Sequence, residues 1–269
     1  MRLLFKLLTI VVVTAYGMIA LSGVAERMVI YPFDPARQSP AEAGLDGVVE
    51  QRLERDGETL IVWTAPPRPG QPVILYFHGN AGNLAARAGR FRRFLARGYG
   101  VVAPAYRGSS GSGGTPVEPA LIGDAVALWP LLARMEAPVI VYGESLGAAL
   151  GIALVATAPQ RFSALVLEAP FTSIADLAEY HYPGTKEIAL SLDNQWPSLR
   201  RAAALTLPLL VMHGTQDDLI PYEMGQRVLA AARSEEKQFL GVQGAGHTDL
   251  WRSDTLPRLW RFVDQFALR

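Results

Sequence analysis

Beyond residue 72, the hydrophobic positions fall into short continuous runs that alternate with longer stretches of helical pattern. Near-continuous apolar runs are typical of strands that are buried on both faces of a sheet. Because helical stretches separate most of these runs, the pattern predicts a mostly parallel sheet with helices on both faces. The predicted strands are Val73 to Phe77, Val101 to Pro104, Val139 to Tyr142, Ala164 to Leu167, Leu209 to Met212 and Lys237 to Leu240, and the predicted helices are Leu84 to Arg97, Leu121 to Met135, Leu146 to Thr157, Glu223 to Ala232 and Thr255 to Phe266.

The segment before this alternation has the pattern of a hairpin. Val48 to Leu53 and Thr59 to Thr64 are rich in strand-favouring residues. Asp56-Gly57 between them is a dipeptide that favours a tight turn. We therefore expect two antiparallel strands at one edge of the main sheet.

The chain starts with a long apolar run. Arg2 and Lys6 precede an uncharged stretch from Leu7 to Ala25, and about 20 apolar residues suffice to cross a bilayer as a helix. Basic residues before such a run favour a cytoplasmic N-terminus. The pattern predicts a single-pass membrane anchor over residues 1–25, with the folded domain on the periplasmic or extracytoplasmic side. The alternatives are a buried core helix and a secreted protein with a cleaved signal, since Gly23-Val24-Ala25 offers small residues for cleavage.

The rest of the chain divides into a linker and one domain. Residues 26–47 contain Pro32, Pro35 and Pro40, and they predict an extended linker. Residues 48–269 then form the domain, whose length is typical of a single α/β domain with a full core.

Composition narrows the range of functions. Basic and acidic residues number 25 each, so no overall field favours nucleic acid. The chain has no cysteine, which excludes disulfides, thiolate metal sites and a cysteine nucleophile. Its histidines form no short-spaced ligand pair. We expect no metal and no nucleic-acid partner, and we expect a monomer. The histidines are His78, His181, His213 and His247.

A serine stands where the third strand of this alternation meets its helix. The sequence there is Gly143-Glu144-Ser145-Leu146-Gly147. A serine on such a sharp strand-to-helix turn is held in a strained backbone conformation with its hydroxyl exposed above the sheet, and the glycines relieve the contact between strand and helix. The pattern predicts that Ser145 is a nucleophile and that the Leu146 N–H is an oxyanion donor.

Other candidate residues follow other strands, and the carboxyl ends of parallel strands meet at one edge of a sheet. The loop His78 to Asn83 comes after the strand ending at Phe77, and we assign the Asn80 N–H, with Ala81 as the near alternative, to a second oxyanion donor. Such a turn could also have no chemical role.

An acid and a base complete the set of candidates. Asp217 and Asp218 both follow the strand ending at Met212, and either could orient a histidine or could simply cap a turn. His247 lies between glycines after the last strand. The chain order is therefore serine, acid, histidine, which is the order found with G-x-S-x-G nucleophiles.

These motifs together are similar to those of the α/β-hydrolase fold and, more narrowly, of the Bem46-type membrane-anchored serine hydrolases. The motifs are HGNAGN at 78–83, GESLG at 143–147, HGTQDDLIP at 213–221 and GAGHTD at 244–249; the narrower match adds the N-terminal anchor, Tyr31-Pro32, Tyr106-Arg107-Gly108 with the Ser/Gly run to Gly114, and Glu168 to Ser173. The resemblance implies that Asp217, four residues after the histidine of the HG pair, is the acid rather than Asp218. It also implies a serine hydrolase of the esterase, lipase or thioesterase kind that needs no cofactor. One departure is Tyr106-Arg107-Gly108-Ser109-Ser110, where the family has an aromatic ring in place of Ser109.

A short lid is expected between Phe171 and Leu207, with Tyr180, Tyr182 and Trp196 as its large apolar side chains. A short lid near a membrane favours esters or thioesters that carry an acyl chain, although these aromatic residues could also only pack on the sheet. A serine peptidase of the same fold is one alternative, and it would need a larger lid or an added domain to select peptides. A non-enzymatic binding protein on a hydrolase scaffold is the other.

Overall fold

Eight strands form one sheet in the computed structural model, which describes residues 23–267. The strand order is β1-β2-β4-β3-β5-β6-β7-β8. Strands β3 to β8 are mutually parallel, and the β1–β2 and β2–β4 pairs are antiparallel. The predicted, mostly parallel sheet is confirmed. The strands are β1 (Val49–Arg55), β2 (Glu58–Ala65), β3 (Val73–Phe77), β4 (Gly100–Pro104), β5 (Val139–Glu144), β6 (Ala164–Glu168), β7 (Leu209–Gly214) and β8 (Lys237–Val242).

The predicted hairpin forms the edge of this sheet. Strands β1 and β2 pair from Val49 with Thr64 to Arg55 with Glu58. The turn residues Asp56 and Gly57 have φ values of 52° and 79°, as the tight turn favoured by this dipeptide requires.

Helices cover both faces of the sheet, as predicted. Buried residues of α3, α5 and α9 belong to the core cluster on one face, and Phe91, Phe94, Leu259 and Phe262 from α2 and α10 belong to the cluster on the other. The helices are α1 (residues 23–30), α2 (Ala88–Ala96), α3 (Glu118–Ala127), α4 (Trp129–Ala133), α5 (Leu146–Thr157), α6 (Ile174–His181), α7 (Lys186–Ala189), α8 (Ser198–Ala202), α9 (Tyr222–Ala231) and α10 (Leu256–Phe266), with 3₁₀ turns at Ala85–Arg87 and Pro159–Arg161.

The prediction of one continuous helix from Leu121 to Met135 was wrong. The segment divides into the end of α3 and the short helix α4, which meet at Leu128. Pro130 lies in the first turn of α4, where its missing N–H does no harm, whereas in the middle of a longer helix it would remove a hydrogen bond and clash with the preceding turn.

The N-terminal segment is packed onto the domain. Ile30 and Tyr31 are buried in the core cluster on one face of the sheet, and Phe33 forms an isolated parallel β-bridge with Gly82. Most of the predicted membrane anchor lies outside the described residues, and between residues 23 and 267 no helix is long and apolar enough to span a bilayer. The boundaries of anchor, linker and domain stay a prediction.

A buried carboxylate fastens α1 to the segment Phe171 to Leu207, which we call the lid segment. Glu26 accepts hydrogen bonds from the backbone N–H of Asp193 at 3.2 Å and of Asn194 at 2.7 Å, and from the Asn194 side-chain amide. The Asn194 side-chain oxygen in turn accepts a hydrogen bond from the Tyr31 hydroxyl at 2.8 Å. The helix and the lid segment therefore meet through a polar contact that is satisfied on both sides.

Candidate active site

Ser145 lies at the turn between β5 and α5 with φ of 54° and ψ of −113°. A residue with a Cβ rarely adopts such a positive φ, and strain of this kind is typical of functional sites. A Cβ on Gly143 would collide with the backbone of Gly147 and Ala148, and a Cβ on Gly147 would collide with the carbonyl of Phe77. The predicted role of both glycines in the close strand-to-helix contact is therefore confirmed.

Asp217 and His247 are brought together across β7 and β8. Asp217 Oδ2 lies 2.9 Å from His247 Nδ1, and the Asp217 side chain is fully buried. The other carboxylate oxygen, Oδ1, accepts hydrogen bonds from the backbone N–H groups of Leu219 at 3.0 Å and Ile220 at 2.8 Å. Asp218 is exposed, so Asp217 is the aspartate that contacts the imidazole.

The two members of this pair shift each other's pKa. Burial alone would raise the pKa of Asp217, but hydrogen bonds from His213, His247 and the Ile220 N–H hold it well below its ordinary value. Burial alone would lower the pKa of His247, but the hydrogen bond and charge of Asp217 outweigh it, and the Glu168 and Glu144 carboxylates act in the same direction, so this pKa is raised. The pair therefore favours an ionised aspartate and stabilises an imidazolium.

Ser145 stands at the same edge of the sheet as this pair, because β5, β7 and β8 are parallel and all three residues follow carboxyl ends. Within residues 23–267, no hydrogen bond joins the Ser145 hydroxyl to His247. Such contacts are often long before substrate binds. The structure therefore joins the Asp217 carboxylate directly to the His247 imidazole and places Ser145 at the same edge of the sheet.

The predicted oxyanion donors both border one cavity with Ser145. Leu146 is the first residue of α5, where a backbone N–H has no acceptor within the helix. The Asn80 side-chain amide donates to the carbonyl of Ile30 at 3.2 Å, which holds the loop in place. The Tyr106 hydroxyl donates to the carbonyl of His78 at 2.7 Å and fastens the start of the same loop.

The cavity has a volume of about 600 Å³ and a mostly apolar lining. Residues from α1, α6 and α7 form much of it, including Val29, Leu177 and Ile188. Of the three large side chains predicted for the lid, Tyr182 lines the cavity. Trp196 is instead fully buried, and its indole N–H donates to the Tyr31 hydroxyl at 2.9 Å. Tyr180 is exposed.

A buried set of ion pairs next to Ser145 was not anticipated from the sequence. Arg87 donates two hydrogen bonds to Glu144, at 3.2 and 2.8 Å. Arg90 binds Glu168 in the same bidentate way, at 2.5 and 2.8 Å. Burial alone would raise the pKa of Glu144, but the charges of Arg90 and Arg87 lower it to about 2. The glutamates in the two motifs GESLG and EAPFTS were the available signal for these ion pairs.

The same ion pairs reach the loop that carries His247. The Trp251 indole N–H lies 3.1 Å from a Glu168 carboxylate oxygen and 2.9 Å from the Tyr142 hydroxyl. The Arg90 guanidinium lies 4.8 Å from the centre of the Trp251 ring, within reach of a cation–π interaction. Because Ser145 follows Glu144 directly and its N–H donates to the carbonyl of Glu168 at 2.8 Å, the ion pairs connect the serine turn to the histidine loop.

This architecture matches solved structures of hydrolases. An esterase from Pyrococcus furiosus superposes with a TM-score of 0.71 at 18% identity, over 90% of this chain and 98% of the esterase chain. Sequence profiles of the serine aminopeptidase S33 family and of the prolyl oligopeptidase family match residues 68–200 and 135–267. The sheet, its helices and the serine turn together define the α/β-hydrolase fold.

Curated relatives narrow the family. The α/β-hydrolase domain-containing protein WAV2 of Arabidopsis thaliana is 32% identical over 88% of this chain and 88% of its own length. Protein bem46 of Schizosaccharomyces pombe is 34% identical over 68% of this chain and 64% of its own. The lysophosphatidylserine lipase ABHD12 of Bos taurus is 30% identical over 71% of this chain and 55% of its own. The chain belongs to the α/β-hydrolases of the Bem46 type, as its motifs predicted.

Proposed function

We propose that the protein is a serine hydrolase that cleaves carboxylic esters or thioesters with an apolar acyl chain through an acyl-serine intermediate. The observation that carries this proposal is the position of Ser145 on the wall of a large apolar cavity, at the strand edge where Asp217 and His247 are hydrogen-bonded. The relative lysophosphatidylserine lipase ABHD12 of Bos taurus supports the same class of reaction by its name.

The mechanism follows from the chemistry of these groups. His247, oriented by Asp217, takes the proton of Ser145 as the serine oxygen attacks the acyl carbonyl. The backbone N–H groups of Leu146 and Asn80 stabilise the resulting oxyanion. His247 then protonates the leaving alcohol or thiol, and water activated by the same histidine releases the acid. No cofactor takes part in these steps.

The pH dependence of turnover should reflect the raised pKa of His247. A protonated imidazole cannot accept the serine proton, so kcat/KM should fall as the pH drops through a value above the ordinary 6.5. In Asp217→Asn, burial is no longer outweighed by the Asp217 charge, and the pKa of His247 should decrease. NMR titration of ¹⁵N-labelled histidine measures this directly. Asp218→Asn is the matched control, and an unchanged His247 titration in Asp217→Asn would contradict the assignment.

Chain-length preference tests the substrate class. Each buried methylene contributes about 0.8 kcal/mol, so kcat/KM for p-nitrophenyl esters should rise roughly fourfold per added methylene while the chain stays within the cavity. Ala178→Phe, which narrows the cavity, should reduce this rise and spare the acetate ester. Ala127→Phe, on α3 and outside the cavity lining, is the matched control. No preference beyond two acyl carbons would count against an acyl site.

A serine peptidase is the second candidate, because both matching family profiles describe peptidases. The apolar cavity and the short lid segment favour an acyl chain over a peptide. Aminopeptidase substrates assayed beside the esters decide between them, and faster turnover of the amides would favour the peptidase.

The location of the enzyme is part of the proposal. The apolar, uncharged run from Leu7 to Ala25 supports a single-pass anchor with a cytoplasmic N-terminus and a catalytic domain on the periplasmic or extracytoplasmic side.

A further inference from the structure

Exposed apolar side chains gather where the cavity opens to solvent. Val29, Tyr182 and Ile188 line the cavity and are nevertheless 77%, 70% and 70% exposed, so they mark its mouth. Met28 and Leu190 are also exposed, and they are adjacent in sequence to the lining residues Val29 and Ala189. Leu219 lines the cavity and is exposed as well. We call Met28, Val29, Tyr182, Ile188, Leu190 and Leu219 the apolar rim.

This clustering is specific to the cavity side of the molecule. Among the large apolar side chains that are exposed in residues 23–267, only Val49 and Val126 lie outside α1, the lid segment and Leu219. Contiguous exposed apolar surface on a folded domain marks a site of interaction. The rim is therefore a candidate interaction site.

The chain itself indicates which partner this is. The uncharged apolar run ends at Ala25, and Met28 follows three residues later, within about 10 Å even for an extended chain. In the proposed topology this run crosses the bilayer, which would hold α1 at the bilayer surface. Tyrosine, as at position 182, is a residue that favours this interface.

The opening inside the rim also favours lipid over a second protein. A flat protein surface laid on the rim would leave the cavity of about 600 Å³ unfilled, and unfilled apolar space is unfavourable. An acyl chain from a bilayer can fill it without crossing water. We infer that the apolar rim docks on a lipid bilayer and delivers the acyl chain of a membrane lipid directly into the cavity; the docking rests on the proposed anchor, and the delivery of substrate rests on the proposed activity.

The absence of cysteine in the chain allows a direct test with single labels. Full-length Leu190→Cys, carrying an environment-sensitive fluorophore and reconstituted in phosphatidylcholine vesicles, should lose fluorescence when the vesicles contain lipids with quenchers on their acyl chains. Val126→Cys, exposed on α3, is the matched control and should not be quenched. Equal responses at the two positions would overturn the inference, and so would self-quenching between labels at 190 in vesicles without quencher lipids, since a second copy would then cover the rim.

Hydrolysis gives an independent readout. Met28→Glu with Leu190→Glu should lower the rate on a long-chain ester embedded in vesicles by about tenfold, because both charges must stay in water. The same variant should hydrolyse dissolved p-nitrophenyl butyrate at the wild-type rate. If the substitutions changed the rate by the same factor on both substrates, lipid delivery would be contradicted. If the wild type did not hydrolyse p-nitrophenyl butyrate at all, the proposed function would be refuted, and the quenching result would still decide the docking.

Discussion

Ser145→Ala should abolish labelling by a fluorophosphonate probe and reduce ester turnover by a factor on the order of 10⁶, which is the loss seen when a serine hydrolase loses its nucleophile. The hydroxyl is the group that would form the acyl bond, and the small replacement leaves α5 and the cavity wall in place. Activity-based labelling, followed by gel fluorescence, measures the first effect, and p-nitrophenyl ester hydrolysis measures the second.

The matched control is Ser253→Ala, an exposed serine that should label and turn over as the wild type does. Labelling that persists in Ser145→Ala would show that another residue is the nucleophile, and the proposed function would then lose its central step. A folded Ser145→Ala protein, checked by circular dichroism, excludes misfolding as the reason for the loss.

Glu168→Gln should lower the free energy of unfolding by about 3–5 kcal/mol, because it removes the bidentate counter-charge of the buried Arg90 guanidinium and leaves it only the Glu144 carboxylate, 3.9 Å away. Glu168 is fully buried and accepts two hydrogen bonds from Arg90, one from Trp251 and one from Tyr142. Urea unfolding measures the change.

Two further variants separate the buried pair from ordinary surface charge. Arg97→Gln breaks the exposed pair with Asp264 and should cost less than about 1 kcal/mol. Arg90→Met combined with Glu168→Leu removes both charges and should restore much of the stability lost in Glu168→Gln. If Glu168→Gln were no more destabilising than Arg97→Gln, the buried Arg90–Glu168 pair would not stabilise the contact between the serine turn and the loop that carries His247.

Local sequence was enough to predict the parts of the site that are built by neighbouring residues. The serine turn depends on Gly143 and Gly147, which flank it within five residues, and the structure has the expected strained backbone at Ser145, where φ is 54°. The choice of Asp217 depended on the family resemblance, and its contact with His247 agrees with that choice. Strands with continuous apolar runs were equally predictable, because burial on both faces leaves a pattern in each segment alone.

The ion pairs could not be predicted in this way. Arg87 and Glu144 are 57 residues apart, and Arg90 and Glu168 are 78 apart, so no spacing in the chain relates them. Their charges also resemble those of a solvated helix face until α2 is placed against the ends of β5 and β6. The break between α3 and α4 was missed for a different reason, since the apolar pattern continues through Leu128 while Pro130 restarts the helix.

The Glu26 contact has a consequence for how substrates enter. To swing the lid segment away from α1, the protein would have to exchange three hydrogen bonds from Asp193 and Asn194 to the Glu26 carboxylate for hydrogen bonds to water, and hydrogen bonds to a charged group contribute about 1.5–3 kcal/mol each. The contact therefore opposes a hinged opening of the lid segment at α1, and we expect substrate association in a single fast phase with no slow conformational step before it.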